Sequence, residues 1–254
     1  MSIPPAPAGR YRGAVQVVEA PAKLTVSLRV TGVRADGYHL IDAEMVSLDL
    51  TDTLEFEPDG EGIEVVYAGP AAANPGLPVP AGPDNLVARA LELVGRRARV
   101  RITKRIPAGA GLGGGSADAA AVLRWAGCDD LGLAARLGAD VPFCLLGGRA
   151  RVSGVGEVVQ PLPPVRRNFT LVLPPLSCPT AEVYRAWDRL GGPTGPGSND
   201  LETAAVAVVP ELARWRDRLA DATKTRPHLA GSGSTWFVDG AFPGPDRVVV
   251  TTTS

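Results

Sequence analysis

The residues best suited to chemistry form a glycine-rich run near the middle of the chain. Residues 107–115 read PAGAGLGGG, and a helix-forming segment, SADAAAVL, follows at residues 116–123. Glycine lets the backbone turn tightly and bring successive N–H groups to one point, which the positive end of the following helix also faces. The pattern predicts an anion site suited to the phosphates of a nucleotide. A flexible glycine-rich connector is the alternative interpretation of the same residues.

Two better-known phosphate motifs are not matched by this run. The P-loop motif GxxxxGK[ST] requires a lysine after the glycines, and none is present. The dinucleotide-binding motif requires a βαβ unit with an acidic residue about 20 positions after the glycines, and this run does not open such a unit. A second glycine-rich loop, AGSGST, is predicted at residues 230–235, directly before a strand. The sequence therefore predicts two glycine-rich loops, and the first matches neither of these two motifs.

Two charged residues far apart in sequence are further candidates for chemistry. Lys23 is one of only three lysines among 26 basic residues, and it lies in PAKLT between two predicted strands. A compact ammonium there is suited to a phosphate or transition-state contact, although a solvated lysine at a strand edge gives the same pattern. Asp140 lies in GADVP, where a fixed carboxylate can act as a base or metal ligand, or only as a turn or capping residue.

The hydrophobic pattern predicts the elements that position these residues, a mixture of the α+β class. The first third is predicted as a β-meander with strands at 15–19, 24–31, 45–50, 53–57 and 63–67. Residues 69–83 are predicted as a loop, and Asp84 as the cap of a helix that runs to residue 93. Later strands are predicted at 100–103, 150–159, 169–173, 236–238 and 247–252, and helices at 133–137, 180–190, 199–208 and 210–221. Irregular segments are predicted at 1–12 (a frayed tail), 161–164 (a domain linker) and 191–197 (a flexible loop).

Composition excludes several classes of function. A chain of 254 residues with a net charge of −1 has no overall field toward nucleic acid or an anionic membrane. Two histidines exclude a multi-histidine metal site, and three cysteines without CxxC favour reduced thiols over a disulfide or zinc framework. The first dozen residues lack an apolar run, and no segment approaches the roughly 20 apolar residues that span a bilayer. We therefore expect a cytoplasmic protein that binds neither nucleic acid nor membrane.

Three segments together resemble the three motifs of the GHMP kinases: PAKLT at 21–25, PAGAGLGGGSADAAAVL at 107–123 and AGSGSTWFV at 230–238. Within that superfamily, ADGYH at 35–39, PDNLVARA at 83–90 and GADVPF at 138–143 are most similar to kinases that act on a cytidine diphosphate sugar alcohol. The resemblance covers most of residues 14–240. It implies a two-domain α+β GHMP kinase fold, with a ribosomal-protein-S5-like N-terminal domain (1–160) and a reduced ferredoxin-like C-terminal domain (161–254).

The resemblance also implies roles for individual residues. Asp140 is implied as the general base that takes the proton of the attacking hydroxyl, and Lys23 as the partner that keeps it ionised. The implied ATP-binding residues are Asn85, Lys104, Pro107, Ala108, Gly109, Ala110, Gly111, Leu112, Gly113, Gly114, Gly115, Ser116 and Ala117. The implied substrate-binding residues are Thr25, Tyr38, His39, Thr180, Tyr184, Gly231 and Ser232.

The implied substrate pocket holds cytosine between two rings. Tyr38 and Tyr184 stack on the base from opposite sides, while the imidazole or main chain of His39 bonds its edge. Without the resemblance, both tyrosines are better interpreted as half-buried core aromatics. The implied cofactors are ATP and Mg²⁺, the ion being held mainly by nucleotide phosphates and water with Ser116 as a candidate ligand.

The chain departs from the family pattern at three places. Thr25 stands where the family usually has Asn, and the segment 125–133 is shorter than the family pattern leads us to expect. The Gly- and Pro-rich residues 239–246 stand where the family normally has a helix. Two alternatives therefore stay open. One is a GHMP kinase for another small alcohol, of the homoserine or mevalonate type, and the other is a binding module of this fold without catalysis.

Overall fold

A computed structural model describes residues 14–58, 60–192 and 197–254. The tail predicted at 1–12, and residues 193–196 of the loop predicted at 191–197, lie outside the described residues. The described residues form a mixed structure of strands and helices, which agrees with the predicted α+β class.

Two long antiparallel strands dominate the N-terminal half. β1 (Gln16–Val33) pairs along its length with β2 (His39–Pro58), so the breaks predicted within each segment are wrong. The pairing of β1 with β2 continues past these positions because the register shifts locally, as at a β-bulge. One shift lies between Pro21 and Lys23, and another lies between Thr25 and Ser27. The first of these shifts lies at Lys23, one of the residues singled out for chemistry.

The strand predicted at 63–67 forms, but it does not continue the antiparallel β-meander that was predicted. β3 (Ile63–Tyr67) runs parallel to β4 (Ala98–Lys104), and β4 lies between β3 and β2. A parallel pair needs a crossover, which α1 (Gly69–Ala73) and α2 (Leu86–Leu93) provide. α1 falls inside the segment predicted as a loop.

The remaining N-terminal elements pack on this sheet or extend it. The helices are α3 (Gly114–Trp125), α4 (Leu131–Ala135) and α5 (Val141–Leu146). The strand predicted at 150–159 is a hairpin of β5 (Arg149–Gly154) and β6 (Val158–Pro161), and β5 pairs with β2. Buried alanines let α3 lie close against the sheet, which fixes the start of that helix relative to β1.

The C-terminal half has its own strands and helices, close to the predicted positions except for a two-residue strand at His228–Leu229 that was not predicted. The strands are β7 (Asn168–Val172), β8 (His228–Leu229), β9 (Trp236–Asp239) and β10 (Val248–Thr253), and the helices are α6 (Thr180–Arg189), α7 (Glu202–Val208) and α8 (Leu212–Thr223). β10 joins the two halves because Thr252 and Thr253 pair with Leu48 and Ser47 of β2. Residues 162–167 contain neither helix nor strand, and the domain boundary near residue 160 stays a prediction. No helix of the described residues is long and apolar enough to cross a membrane.

Candidate active site

The first glycine loop, residues 105–113, connects β4 to α3 and is close-packed. Gly109, Gly111 and Gly113 have φ values of 79°, 80° and 68°, which side chains strain to adopt. A Cβ on Gly111 would lie 2.5 Å from the carbonyl oxygen of Gly233, and one on Gly113 would lie 2.7 Å from Cγ of Lys23. The interpretation of this run as a flexible connector is therefore wrong.

α3 begins at Gly114, two residues before the predicted start. Its N-cap residue, Gly113, offers no side chain to bond the first N–H groups of the helix. Those groups and the positive end of the helix are suited to an anion. The anion site that the sequence predicts from its glycines stays a prediction.

A second loop, residues 230–235, packs directly against the first. Thr235 donates two hydrogen bonds to the carbonyl of Ala110, from its backbone N at 3.1 Å and its Oγ1 at 2.7 Å. Nδ2 of Asn199 donates to the carbonyls of Leu229 (2.8 Å) and Gly231 (2.7 Å). The two glycine loops, far apart in sequence, are therefore fixed against each other.

Lys23 and Asp140 meet beside these loops. Nζ of Lys23 lies 3.2 Å from Oδ2 of Asp140 and 3.2 Å from Oγ1 of Thr25. The Lys23 side chain is 7% exposed, and its backbone N donates to the carbonyl of Leu112 at 2.9 Å. This burial contradicts the interpretation of Lys23 as a solvated lysine at a strand edge. Asp140 is the N-cap residue of α5, but its side chain makes no capping hydrogen bond and is free to face Lys23.

A central cleft of about 560 Å³ lies between the two halves of the chain. Its lining includes Lys23, Thr25 and Asp140 together with residues of both glycine loops. Of the remaining residues predicted to bind phosphates or substrate, this cleft brings together Gly109, Gly111, Gly113, Ser116, Thr180, Tyr184, Gly231 and Ser232. The cleft thus brings the Lys23–Asp140 ion pair together with both glycine loops.

A second cavity of about 390 Å³ adjoins the central cleft over the first glycine loop. Asn85 and Lys104 line it, as does the loop from Pro107 to Ser116. The side chains of Asn85 and Lys104 both form hydrogen bonds with other groups of the protein. Asn85, and not the predicted Asp84, caps α2: its Oδ1 accepts from the backbone N of Val87 at 2.8 Å. Ala117, predicted to bind ATP, is fully buried and is absent from the lining of this cavity.

Lys104 belongs to a buried charge cluster that the sequence did not predict. Its ammonium lies between the carboxylates of Asp52 and Asp118, 2.7 Å from the latter. Asp52 also accepts hydrogen bonds from the backbone N of Arg105 (2.5 Å) and of Ile106 (2.9 Å), where the first glycine loop begins. The cluster therefore ties β2, β4 and α3 together beneath the loop.

Burial and the neighbouring charges shift the pKa values of Asp118 and Lys104 in this cluster. Burial raises the pKa of Asp118 to about 7, although the neighbouring Lys104 acts against the increase. Burial alone would lower the pKa of Lys104, but the two carboxylates outweigh it and the pKa is raised. Lys104 is therefore an ammonium held in place by carboxylates, with none of its bonds directed at a free ligand.

A third cavity, of about 690 Å³, adjoins the central cleft on the side away from the first glycine loop. The ring centroids of His39 and Tyr184 are 4.6 Å apart, tilted by 31°. Tyr38 is 60% exposed at the rim, which contradicts its interpretation as a core aromatic. Burial raises the pKa of Tyr184 to about 12, with a contribution from the charge of Asp140. Oγ1 of Thr180 lies 3.0 Å from Oγ of Ser232.

Several residues around the third cavity were missed by sequence reasoning. Asp188 and Arg185 line it from α6, and Val155 lines it from the turn after β5. One usable signal existed: Thr180, Tyr184 and Asp188 are spaced by four, which places them on one face of a helix. Val155 had no such signal.

A glycine loop at the start of a helix and a Lys–Asp ion pair, both lining one cleft, are the features expected of a small-molecule kinase of the GHMP class. The GHMP kinases N terminal domain family matches residues 85–148. Over most of its length the chain belongs to the family of 4-diphosphocytidyl-2-C-methyl-D-erythritol kinases. It is 41% identical over 237 residues to the member from Paracoccus denitrificans, covering 86% of this chain and 84% of the relative. It is 39% identical over 250 residues to the member from Cereibacter sphaeroides, covering 86% and 87%.

Solved structures agree with this membership. A crystal structure of 4-(cytidine 5'-diphospho)-2C-methyl-D-erythritol kinase aligns with a TM-score of 0.72 and 35% identity, covering 94% of this chain and 100% of that chain. A homoserine kinase from Cytophaga hutchinsonii aligns with a TM-score of 0.62 at 17% identity, covering 96% of both chains, and shares the fold alone. The predicted GHMP kinase fold is confirmed.

Proposed function

We propose that this chain transfers the γ-phosphoryl group of ATP to the 2-hydroxyl of 4-diphosphocytidyl-2-C-methyl-D-erythritol, a step of non-mevalonate isoprenoid biosynthesis. The observation that carries the proposal is the pairing of the buried Lys23 with Asp140, 3.2 Å apart, in the central cleft that the two glycine loops also line. Family membership supplies the identity of the substrate.

The second cavity takes the nucleoside of ATP in this proposal, and the first glycine loop takes its phosphates. The uncapped N–H groups at the start of α3 bind phosphate oxygens, aided by the helix dipole. Asn85 and Lys104 support this cavity, one by capping α2 and the other by holding the buried charge cluster beneath the loop.

In the transfer step, the substrate hydroxyl attacks the γ-phosphorus as its proton passes to the Asp140 carboxylate. A new P–O bond forms to the substrate oxygen, and the bond between the γ-phosphorus and the bridging oxygen of ADP breaks. The Lys23 ammonium lies beside the Asp140 carboxylate and stabilises the charge on the transferring group. Thr25 accepts a hydrogen bond from the Lys23 ammonium, so a threonine at this position still orients the lysine.

The third cavity takes the cytidine end of the substrate. Tyr38 and Tyr184 offer aromatic faces to the base, and His39 offers a ring nitrogen to its edge. Arg185 lines the same cavity and supplies positive charge near the diphosphate. Thr180, Ser232 and Gly231 lie where the third cavity meets the central cleft and are placed to contact the sugar alcohol.

Mg²⁺ accompanies ATP in this proposal and neutralises charge on its phosphates. The described residues contain no group of three side chains arranged to ligate a metal. When bound, Mg²⁺ would be held mainly by phosphate oxygens and water, and the Ser116 hydroxyl in the first turn of α3 would be the candidate ligand from the protein. We place the reaction in the cytoplasm, where ATP is available and where Cys128, Cys144 and Cys178 remain free thiols.

The experiment that tests this function measures ADP formation with three alcohols: the cytidine substrate, homoserine and mevalonate. We expect turnover only with the cytidine substrate, and we expect CMP to compete with that substrate and not with ATP. Turnover with homoserine or mevalonate would assign the chain to another GHMP activity. Absence of turnover with all three would favour the binding module without catalysis.

A further inference from the structure

A carboxylate with no assigned role reaches the third cavity from α6. Oδ1 of Asp188 lies 2.8 Å from Nε2 of His39, although the two residues are 149 positions apart. The imidazole also packs against Tyr184 at 4.6 Å and edge-on against Trp187 at 5.6 Å and 85°. The His39 ring is therefore held by one hydrogen bond and two aromatic contacts, all from the same helix.

The hydrogen bond determines which nitrogen of the imidazole carries the proton. An ionised carboxylate only accepts hydrogen bonds, so the Nε2 atom that faces Asp188 is the protonated one. In the neutral ring, Nδ1 is then an acceptor. Nδ1 makes no hydrogen bond with the described residues, which leaves its lone pair to a ligand in the cavity that His39 lines.

We propose that Asp188 is a positioning residue for base recognition: it holds His39 in the tautomer whose Nδ1 accepts a hydrogen bond from the 4-amino group of cytosine. Uracil has a carbonyl oxygen at that position, and two acceptors facing each other repel. Discrimination of this kind is strong because the wrong base leaves polar groups unpaired in the site. The inference rests on the proposed function and adds to it the residue that selects cytosine over uracil.

The kinetic test compares the cytidine substrate with its uridine analogue in the wild type, Asp188→Ala and Asp188→Asn. In Asp188→Ala, we expect the KM for the cytidine substrate to rise about tenfold, with kcat and the KM for ATP nearly unchanged. The preference for cytidine over uridine in kcat/KM should fall by a similar factor. Asp188→Asn keeps an acceptor oxygen at the same reach and should retain more of the preference than the alanine variant.

Asp217→Asn is the matched control. Asp217 is an exposed aspartate of α8 that pairs with its neighbour Arg216, so the variant removes one surface charge at a residue that does not line the cavity. It should leave the nucleotide preference at the wild-type value. A fall in preference in this control equal to that in Asp188→Ala would assign the effect to net charge and overturn the proposal.

A spectroscopic test follows the tautomer without any turnover. The chain has only two histidines, so nitrogen NMR signals of His39 can be assigned with a His228→Gln variant. We expect the Nε2-protonated tautomer of the neutral ring in the wild type and a mixture of both tautomers in Asp188→Ala. An unchanged tautomer in Asp188→Ala would overturn the proposal.

The outcomes separate this inference from the proposed function. A wild type that does not phosphorylate the cytidine substrate overturns both. A wild type that prefers cytidine, with the same preference in Asp188→Ala, overturns only the role of Asp188. Parallel losses for cytidine and uridine in Asp188→Ala would also overturn it, because Asp188 would then merely hold α6 against the start of β2.

Discussion

At the scale of single residues, the site depends on side chains with fixed partners. The ammonium of Lys23 is surrounded by Asp140, Thr25 and the first glycine loop, and its side chain is almost fully buried. A buried ammonium is costly without a counterion, so the geometry of Lys23 requires the charge of Asp140. The same charge is what a general base needs before it accepts a proton.

Asp140→Asn tests the base directly. The variant keeps the shape of the side chain and loses its ability to accept a proton, so kcat should fall by about 10²–10⁴ while the KM for ATP changes little. Steady-state kinetics with the cytidine substrate measure both constants. Asp129→Asn, at an exposed aspartate before α4, is the control and should behave as the wild type. Turnover near the wild-type value in Asp140→Asn would make Asp140 a structural residue.

Tyr184 tests the aromatic side of the substrate cavity. Stacking on a base contributes about 1–3 kcal/mol, so Tyr184→Ala should raise the KM for the cytidine substrate by about tenfold or more. The KM for ATP should stay the same because ATP is placed in the second cavity. Tyr184→Phe should be mild, since the ring is retained and the raised pKa keeps the tyrosine hydroxyl neutral at physiological pH. Equal weakening of both substrates would indicate a packing defect instead.

At the scale of elements, the first glycine loop shows what the sequence could and could not determine. Its glycines predicted the turns and the anion site because positive φ values are a local property of the chain. The same local pattern could not show that Gly111 packs on the second loop, or that Asp52 and Asp118 surround Lys104 beneath it. Those contacts join segments that meet only in the folded sheet.

Gly113→Val tests the loop as an element. The substitution forces a positive φ on a branched residue and places its Cβ 2.7 Å from Cγ of Lys23. ATP affinity measured by calorimetry should fall about tenfold or more in a protein that remains folded. Gly127→Val is the matched control, because Gly127 has a similar φ of 72° but open space where a Cβ would lie. Equal ATP affinity in the two variants would show that the loop does not bind phosphate.

The buried charge cluster makes stability depend on pH. The unfolded chain releases the Asp118 proton near its ordinary pKa of 3.8, whereas the folded chain holds it to about 7. Between these values the folded state binds more protons, so this residue lowers the free energy of unfolding as the pH rises from about 4 to about 7. Asp118→Asn should remove that decrease. Urea unfolding at pH 5 and pH 8 should therefore show the variant gaining stability relative to the wild type at the higher pH.

Asp129→Asn again provides the control for this pH dependence. Its stability relative to the wild type should be the same at both pH values, because Asp129 is exposed before α4 and is not part of the buried charge cluster. A parallel loss of stability in the wild type and Asp118→Asn between pH 5 and pH 8 would show that Asp118 is already ionised in the fold.

At the scale of the whole molecule, the site is assembled from segments spread over most of the chain. Lys23 and Asp140 were singled out separately from their local sequence, and only the resemblance to a family brought them together. The pairing of β3 with β4 and the contact of His39 with Asp188 had no local signal, because both depend on the path of the chain between distant segments. Strand breaks at Pro21 and near Thr51 were predicted from local pattern, but long-range pairing of β1 with β2 overrides them.

The most direct test of the central claim is phosphorus NMR of the products formed from ATP and 4-diphosphocytidyl-2-C-methyl-D-erythritol. The account predicts ADP together with one new phosphomonoester on the 2-oxygen of the sugar alcohol, formed by the wild type and strongly reduced in Asp140→Asn. ATP consumed without a phosphomonoester, or a phosphomonoester on any other oxygen, would contradict it.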